Sequence, residues 1–207
     1  MGLVYKKILN GGAILGLWEI SESLEEMLEA IKPSDFDQEK LEKKVNKKRK
    51  RESLAVRLLL AQMLEGTHEI SNDENGKPFL KSTDYEISIS HSEKYAAVYL
   101  VKRKSAGIDI QKIKVDIERG INFFLNDGEQ LWVDKLDFIL INILWSAKES
   151  VYKYAGVKDL DLRNNMSVNP FQAKSEGDII VNFGKENLKT ISIQYEVFED
   201  YVLTRTL

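Results

Sequence analysis

The segment Phe138–Ala155 limits the possible folds more than any other part of this chain. At about 100° per residue, Leu140, Leu144, Ala147, Val151 and Ala155 form one apolar stripe of a helix, and Phe138, Ile141, Trp145 and Tyr152 form a second beside it. A helix apolar on two sides has to be covered on both, so it is expected between layers of other structure and to end at Gly156. Glu149 lies at the edge of the second stripe, one turn after Trp145, where it turns a carboxylate toward an enclosed space. Asp109 sets the same problem in the strand-like run Ser105-Ala106-Gly107-Ile108-Asp109-Ile110-Gln111. A buried carboxylate is costly without a cation or a set of donors, and a divalent metal holding phosphate is the expected partner for the two. The plain alternative is a surface i, i+4 pair of Glu149 with Lys153, worth roughly 0.3–0.5 kcal/mol. The aromatic neighbours weigh against it.

The remaining segments surround that helix with alternating structure. Residues 3–20 read as two short strands broken by the turn Asn10-Gly11-Gly12, and Ser23 with Glu26 has the spacing of a capping box for a helix reaching Ile31 before Pro33. Residues 38–65 are helical in pattern with one break, carry Leu54, Leu58 and Ala61 as a stripe, and stop at Gly66. Asn75-Gly76 is a hairpin-type turn, and residues 85–90, 95–102 and 106–111 read as strands. Short helical pieces are expected over 121–133, with further strands near 178–183, 190–197 and 201–206. The two halves thus share an order of strand, helices, then strands. We expect an α+β fold in two layers, built as two pseudo-symmetric lobes, 1–104 and 105–207, with a site in the cleft between them.

Composition excludes several classes of function. With no cysteine there is no disulfide, thiolate metal site or cysteine nucleophile. No stretch has the length and apolarity to span a bilayer, and the sequence Met-Gly-Leu-Val-Tyr-Lys-Lys has neither a signal-type apolar run nor the Ser or Thr that myristoylation wants at Lys6. A cytoplasmic monomer without membrane association is expected. A net charge of −3 argues against bulk attraction to nucleic acid. Any anion site must therefore be a local concentration of charge. The densest is Lys43, Lys44, Lys47, Lys48, Arg49, Lys50, Arg51 and Arg57, which reads either as a solvated helix face or as a phosphate site. His91, just past an alternating strand, reads by itself as a polar end-cap, and Lys77 as an exposed lysine in a turn.

In order along the chain, these pieces resemble a known family. Asn75-Gly76-Lys77-Pro78-Phe79, Ile87-Ser88-Ile89-Ser90-His91-Ser92, Gly107-Ile108-Asp109-Ile110 and Trp145-Ser146-Ala147-Lys148-Glu149-Ser150-Val151-Tyr152-Lys153 are similar to the ordered motifs of Sfp-type 4′-phosphopantetheinyl transferases, of the holo-carrier-protein synthase superfamily. The resemblance runs from about residue 51 to 156, and the last motif is the most specific.

The resemblance implies a Mg²⁺-dependent transfer of phosphopantetheine from coenzyme A to a serine of an acyl or peptidyl carrier protein, releasing adenosine 3′,5′-bisphosphate. It implies Asp109 and Glu149 as metal ligands and Lys153 as a phosphate contact. Arg57, Lys77, Ser90 and His91 become contacts to coenzyme A, and Glu129 or Glu149 the group that takes the serine proton. Where many members have Asp-x-Glu, this chain has Asp109-Ile110-Gln111, so the third metal position falls to an uncharged carbonyl oxygen. Lys112, Lys114, Phe123, Phe124 and Leu125 are the expected carrier contacts, against the reading of a solvated loop followed by core aromatics. Two other classes stay open: a silent module that binds coenzyme A or a carrier, and a Mg²⁺-dependent nucleotide phosphohydrolase.

Overall fold

The computed structural model describes residues 2–31, 35–43, 45–66, 68–81 and 83–207, with backbone alone at 35–37 and 40. Pro33 and Lys44, which entered the reading of the first helix and the basic run, lie outside the described residues. The chain divides into two compact units, Met1–Ser105 and Ala106–Leu207. Both mix helices with antiparallel sheet, which makes the fold α+β.

In the first unit, β1 (Leu3–Ile8) and β2 (Ile14–Glu19) form a hairpin across the Asn10–Gly12 turn, where Gly11 takes φ 72°. Then come α1 (Leu24–Ile31), α2 (Asp35–Glu42) and α3 (Lys47–Met63). The capping box at α1 is formed: Ser23 N–H donates to Glu26 Oε2 at 2.7 Å, and Glu26 N–H to Ser23 Oγ at 3.2 Å. A small hairpin, β3 (Ile70–Asn72) with β4 (Pro78–Leu80), closes around Gly76 at φ 87°. The strands β5 (Tyr85–Ser92) and β6 (Tyr95–Lys102) complete a sheet ordered β1-β2-β6-β5. Its core joins Leu54, Leu59 and Met63 of α3 to Trp18, Ile87 and Val98 of the sheet.

Two expectations change here. Ala61 is exposed, and the inward stripe of α3 runs instead through Leu54, Ala55, Leu58, Leu59 and Met63. This is the i, i+4 track that begins at Ala55, and it ends the helix three residues before Gly66. His91 lies inside β5 rather than beyond it, paired across to Ala96.

The second unit opens with β7 (Ile108–Lys112) and continues through 3₁₀ turns at Ile117–Phe123 and Glu129–Leu131 to α4 (Phe138–Ala155). Asp137 caps α4 by accepting from Leu140 N–H at 2.9 Å, and Gly156 ends it in the left-handed conformation at φ 65°. The strands β8 (Met166–Val168), β9 (Glu176–Phe183), β10 (Lys189–Phe198) and β11 (Tyr201–Thr206) follow, giving a sheet ordered β7-β11-β10-β9-β8. Leu140, Leu144, Ala147 and Val151 are buried in a core shared with Ile179, Val181, Ile193 and Val202. Where β7 passes under α4, Gly107 is required: a Cβ there would lie 2.1 Å from the carbonyl oxygen of Ser150. Among the described residues no helix is long and apolar enough to cross a membrane.

Candidate active site

A helix lying on a sheet normally meets it with apolar side chains. At one place α4 does not. Asn142, Ser146, Ser150 and Lys153 follow at spacings of four, four and three, which puts them on one side of the helix. Asn142, Ser146 and Ser150 are fully buried against β7 and β11, where Asp109 pairs with Thr204 and Gln111 with Val202. Every buried polar group in this seam needs a partner, and the partners are specific. Ser146 Oγ donates to Asp109 Oδ2 at 2.9 Å and lies 3.0 Å from Thr204 Oγ1, while Ser150 Oγ lies 2.6 Å from the same Thr204 hydroxyl. Gln111 Nε2 donates to the carbonyl of Asn142 at 2.9 Å and to its Oδ1 at 3.1 Å. Anchored by its nitrogen, Gln111 keeps Oε1 as the atom without a protein donor among the described residues. The polar stripe inside an apolar helix is the sequence signal of this seam, lying beside the two apolar stripes.

Asp109 stands where the seam reaches solvent. Its Oδ2 is held by Ser146, and its Oδ1 accepts from Lys153 Nζ at 2.8 Å, with the two side chains 10% and 27% exposed respectively. Glu149, one turn before Lys153, is part-buried. Burial pushes its carboxyl above the usual range, the negative Asp109 adds to the rise, and Lys153 opposes it. The structure thus brings Asp109, Glu149 and Lys153 together: two carboxylates close enough to repel, and one ammonium bonded to Asp109 whose charge also reaches Glu149. A hard divalent cation fits this set, since Mg²⁺ takes one or two carboxylates and completes its shell with water and substrate phosphate oxygens. The chain brings no more than that, because no cluster of three or more His, Cys, Asp or Glu occurs among the described residues.

Glu129 lies away from that group, in the 3₁₀ turn Glu129–Leu131. It is buried and paired with Lys148 at 2.6 Å, and it also accepts from Asn126 N–H at 2.9 Å and from Val168 N–H at 2.8 Å. Lys148 is the residue that sequence reading missed entirely: a lysine with 0% side-chain exposure in the middle of the helix motif.

The first unit holds a cavity of about 650 Å³ lined by Lys48, Arg49, Glu52, Arg57, Asn72 and His91 among others. Its lining includes Asn46, Lys48 and Arg49 at the start of α3, where Asn46 caps the helix by accepting from Lys48 N–H, so the positive helix end lies beside it. Arg57 is fixed by donating to the carbonyl and hydroxyl of Ser53 at 3.0 and 2.7 Å, and His91 Nδ1 lies 3.4 Å from Glu52 Oε2. Ser90 and His91 are neighbours in sequence but point to opposite faces of β5, and Ser90 is buried. Lys77 donates to Ser105 Oγ, and burial pushes its amine down against the pull of Glu86 and Asp73. Of the expected partner contacts, Phe123 is 79% exposed, whereas Phe124 and Leu125 belong to the core. Phe124 packs edge-on against Trp145, with ring centres 5.0 Å apart, which is why this pair of aromatics splits between surface and interior.

Residues 105–206 match the sequence model of the 4′-phosphopantetheinyl transferase superfamily, which covers the second unit and the whole seam around Asp109. No curated protein matches the chain. The second unit therefore carries a domain of the 4′-phosphopantetheinyl transferase superfamily.

Proposed function

From that match we propose that the chain is an Sfp-type enzyme that moves the 4′-phosphopantetheine group of coenzyme A onto a serine hydroxyl of an acyl or peptidyl carrier protein. The observation that carries the reading is the Asp109–Glu149–Lys153 group, where a carboxylate held by Ser146 faces a second, proton-hungry carboxylate and a lysine. Asp109, Glu149 and the Oε1 of Gln111 would hold Mg²⁺. The cation, when bound, supplies positive charge to the pyrophosphate under attack. Lys153 Nζ, next to Asp109, offers a further donor to the phosphate oxygens.

The serine oxygen attacks the β-phosphorus and the bond to the bridging oxygen breaks. Adenosine 3′,5′-bisphosphate leaves with that oxygen, and the serine proton passes to a carboxylate. Glu149, half-buried at the edge of the seam, is proposed to take the proton directly or through one water. Glu129 suits it less, because both of its oxygens are occupied. In the first unit, Arg57, Lys48 and Arg49 are proposed as cations and His91 as an imidazole contact for another phosphate of coenzyme A, with Lys77 and Ser90 as further contacts. Lys112, Lys114 and the exposed Phe123 form a basic and apolar surface for an acidic carrier helix.

The test is to incubate the protein with coenzyme A, Mg²⁺ and an apo carrier and follow the carrier by mass spectrometry. The expected result is one added phosphopantetheine group, lost with a chelator. Bound coenzyme A without added mass across several carriers would leave a silent module. Phosphate release without a carrier would make the protein a phosphohydrolase.

A further inference from the structure

A lysine without solvent contact is rare and expensive, so Lys148 is retained for something. Its ammonium donates to Glu129 Oε2 and the carbonyl of Phe124, both at 2.6 Å, and to the carbonyls of Leu162 at 3.0 Å and Met166 at 3.3 Å. Those acceptors come from two separate stretches, one after the first 3₁₀ turn and one entering β8. Glu129 ties the same stretches again, through Asn126 N–H on one side and Val168 N–H on the other. The carbonyl that Lys148 holds belongs to Phe124, whose ring rests on Trp145 one turn before Glu149. Burial pushes the Lys148 amine down, and the Glu129 carboxylate opposes that, as expected for a charge kept in place by its partner.

We propose that Glu129 is a positioning residue: through Lys148 it clamps the 124–129 and 162–168 stretches onto α4 and so fixes the wall beside Glu149, without taking a proton from substrate. The assignment builds on the transferase reading above. Neither oxygen of Glu129 is available to a substrate hydroxyl, since Oε2 receives Lys148 and Asn126 and Oε1 receives Val168.

Transfer to an apo carrier is measured for wild type, E129Q, K148M and the double variant E129L/K148M, with thermal melting of each. E129Q keeps one acceptor oxygen for Lys148 but sets its amide nitrogen, a donor, against the Val168 N–H, so it is expected to lose melting temperature and kcat together, with the acid side of its pH profile unmoved. K148M leaves a buried charge unpaired and loses most activity together with melting temperature. E129L/K148M removes both charges, so it melts above K148M and regains part of its kcat, but stays below wild type because Asn126 and Val168 N–H lose their acceptor. Loss of about 10²-fold or more in kcat for E129Q at unchanged melting, with its acid limb gone, would make Glu129 the base and overturn the proposal. So would a double variant that melts like wild type but transfers no better than K148M. If wild type transfers nothing, the transferase reading fails, and the melting temperatures of the same four proteins still decide whether the clamp exists.

Discussion

Helix α4 carries two lysine–carboxylate pairs five residues apart, and they differ in one respect that decides their use. Lys148 with Glu129 is sealed, at 0% and 2% exposure, and every polar atom is matched inside the protein. Lys153 with Asp109 stands at the edge, at 27% and 10% exposure, next to a second carboxylate whose proton affinity is raised. A sealed pair cannot exchange partners without unfolding its surroundings. An edge pair can release its lysine to a phosphate and its carboxylate to a cation. Residue type alone does not separate structural from chemical charge; access does.

Breaking the two pairs should therefore have opposite signatures. The largest effect on stability is expected for Lys148→Met, about 3–5 kcal/mol from an unpaired buried carboxylate, read by urea unfolding. Asp109→Asn should leave unfolding nearly unchanged, since the Ser146 contact survives, yet slow transfer by at least about 10²-fold. Ser146→Ala tests whether the seam sets the carboxylate: loss of a hydrogen bond to a charged group costs about 1.5–3 kcal/mol, seen as weaker Mg²⁺ dependence of transfer with unchanged carrier KM. Gln111→Glu should lower the Mg²⁺ concentration needed for half-maximal rate, and an unchanged metal titration would remove Gln111 from the site. Smallest is Lys153→Met on stability, about 1 kcal/mol or less because the pair is partly solvated, although its effect on transfer should be large.

The sequence made the helices and long strands legible where one signal was strong. The apolar stripes and Gly156 placed α4 to the residue, and runs rich in apolar, β-branched and aromatic residues placed β6 and β11. Three-residue strands such as β3, β4 and β8 were invisible as strands, because so short a run has no period to read. Asp109 and Glu149 stood out as carboxylates among apolar residues. Lys148 did not, since a lysine beside a glutamate reads as surface charge until burial is known, and Glu129 looked like a reactive group until its three donors were found. His91 illustrates the other limit. Its strand was expected, but Glu52, nearly forty residues away, meets it only once α3 has folded against β5.

The edge pair is most directly tested by the rate at which an apo carrier gains phosphopantetheine, followed by mass spectrometry across a Mg²⁺ titration for wild type and Asp109→Asn side by side. One added group per carrier, dependent on coenzyme A and Mg²⁺ in wild type and slowed at least about 10²-fold in the variant, is the result this account predicts. A variant that transfers at the wild-type rate, with the same metal dependence, would contradict it.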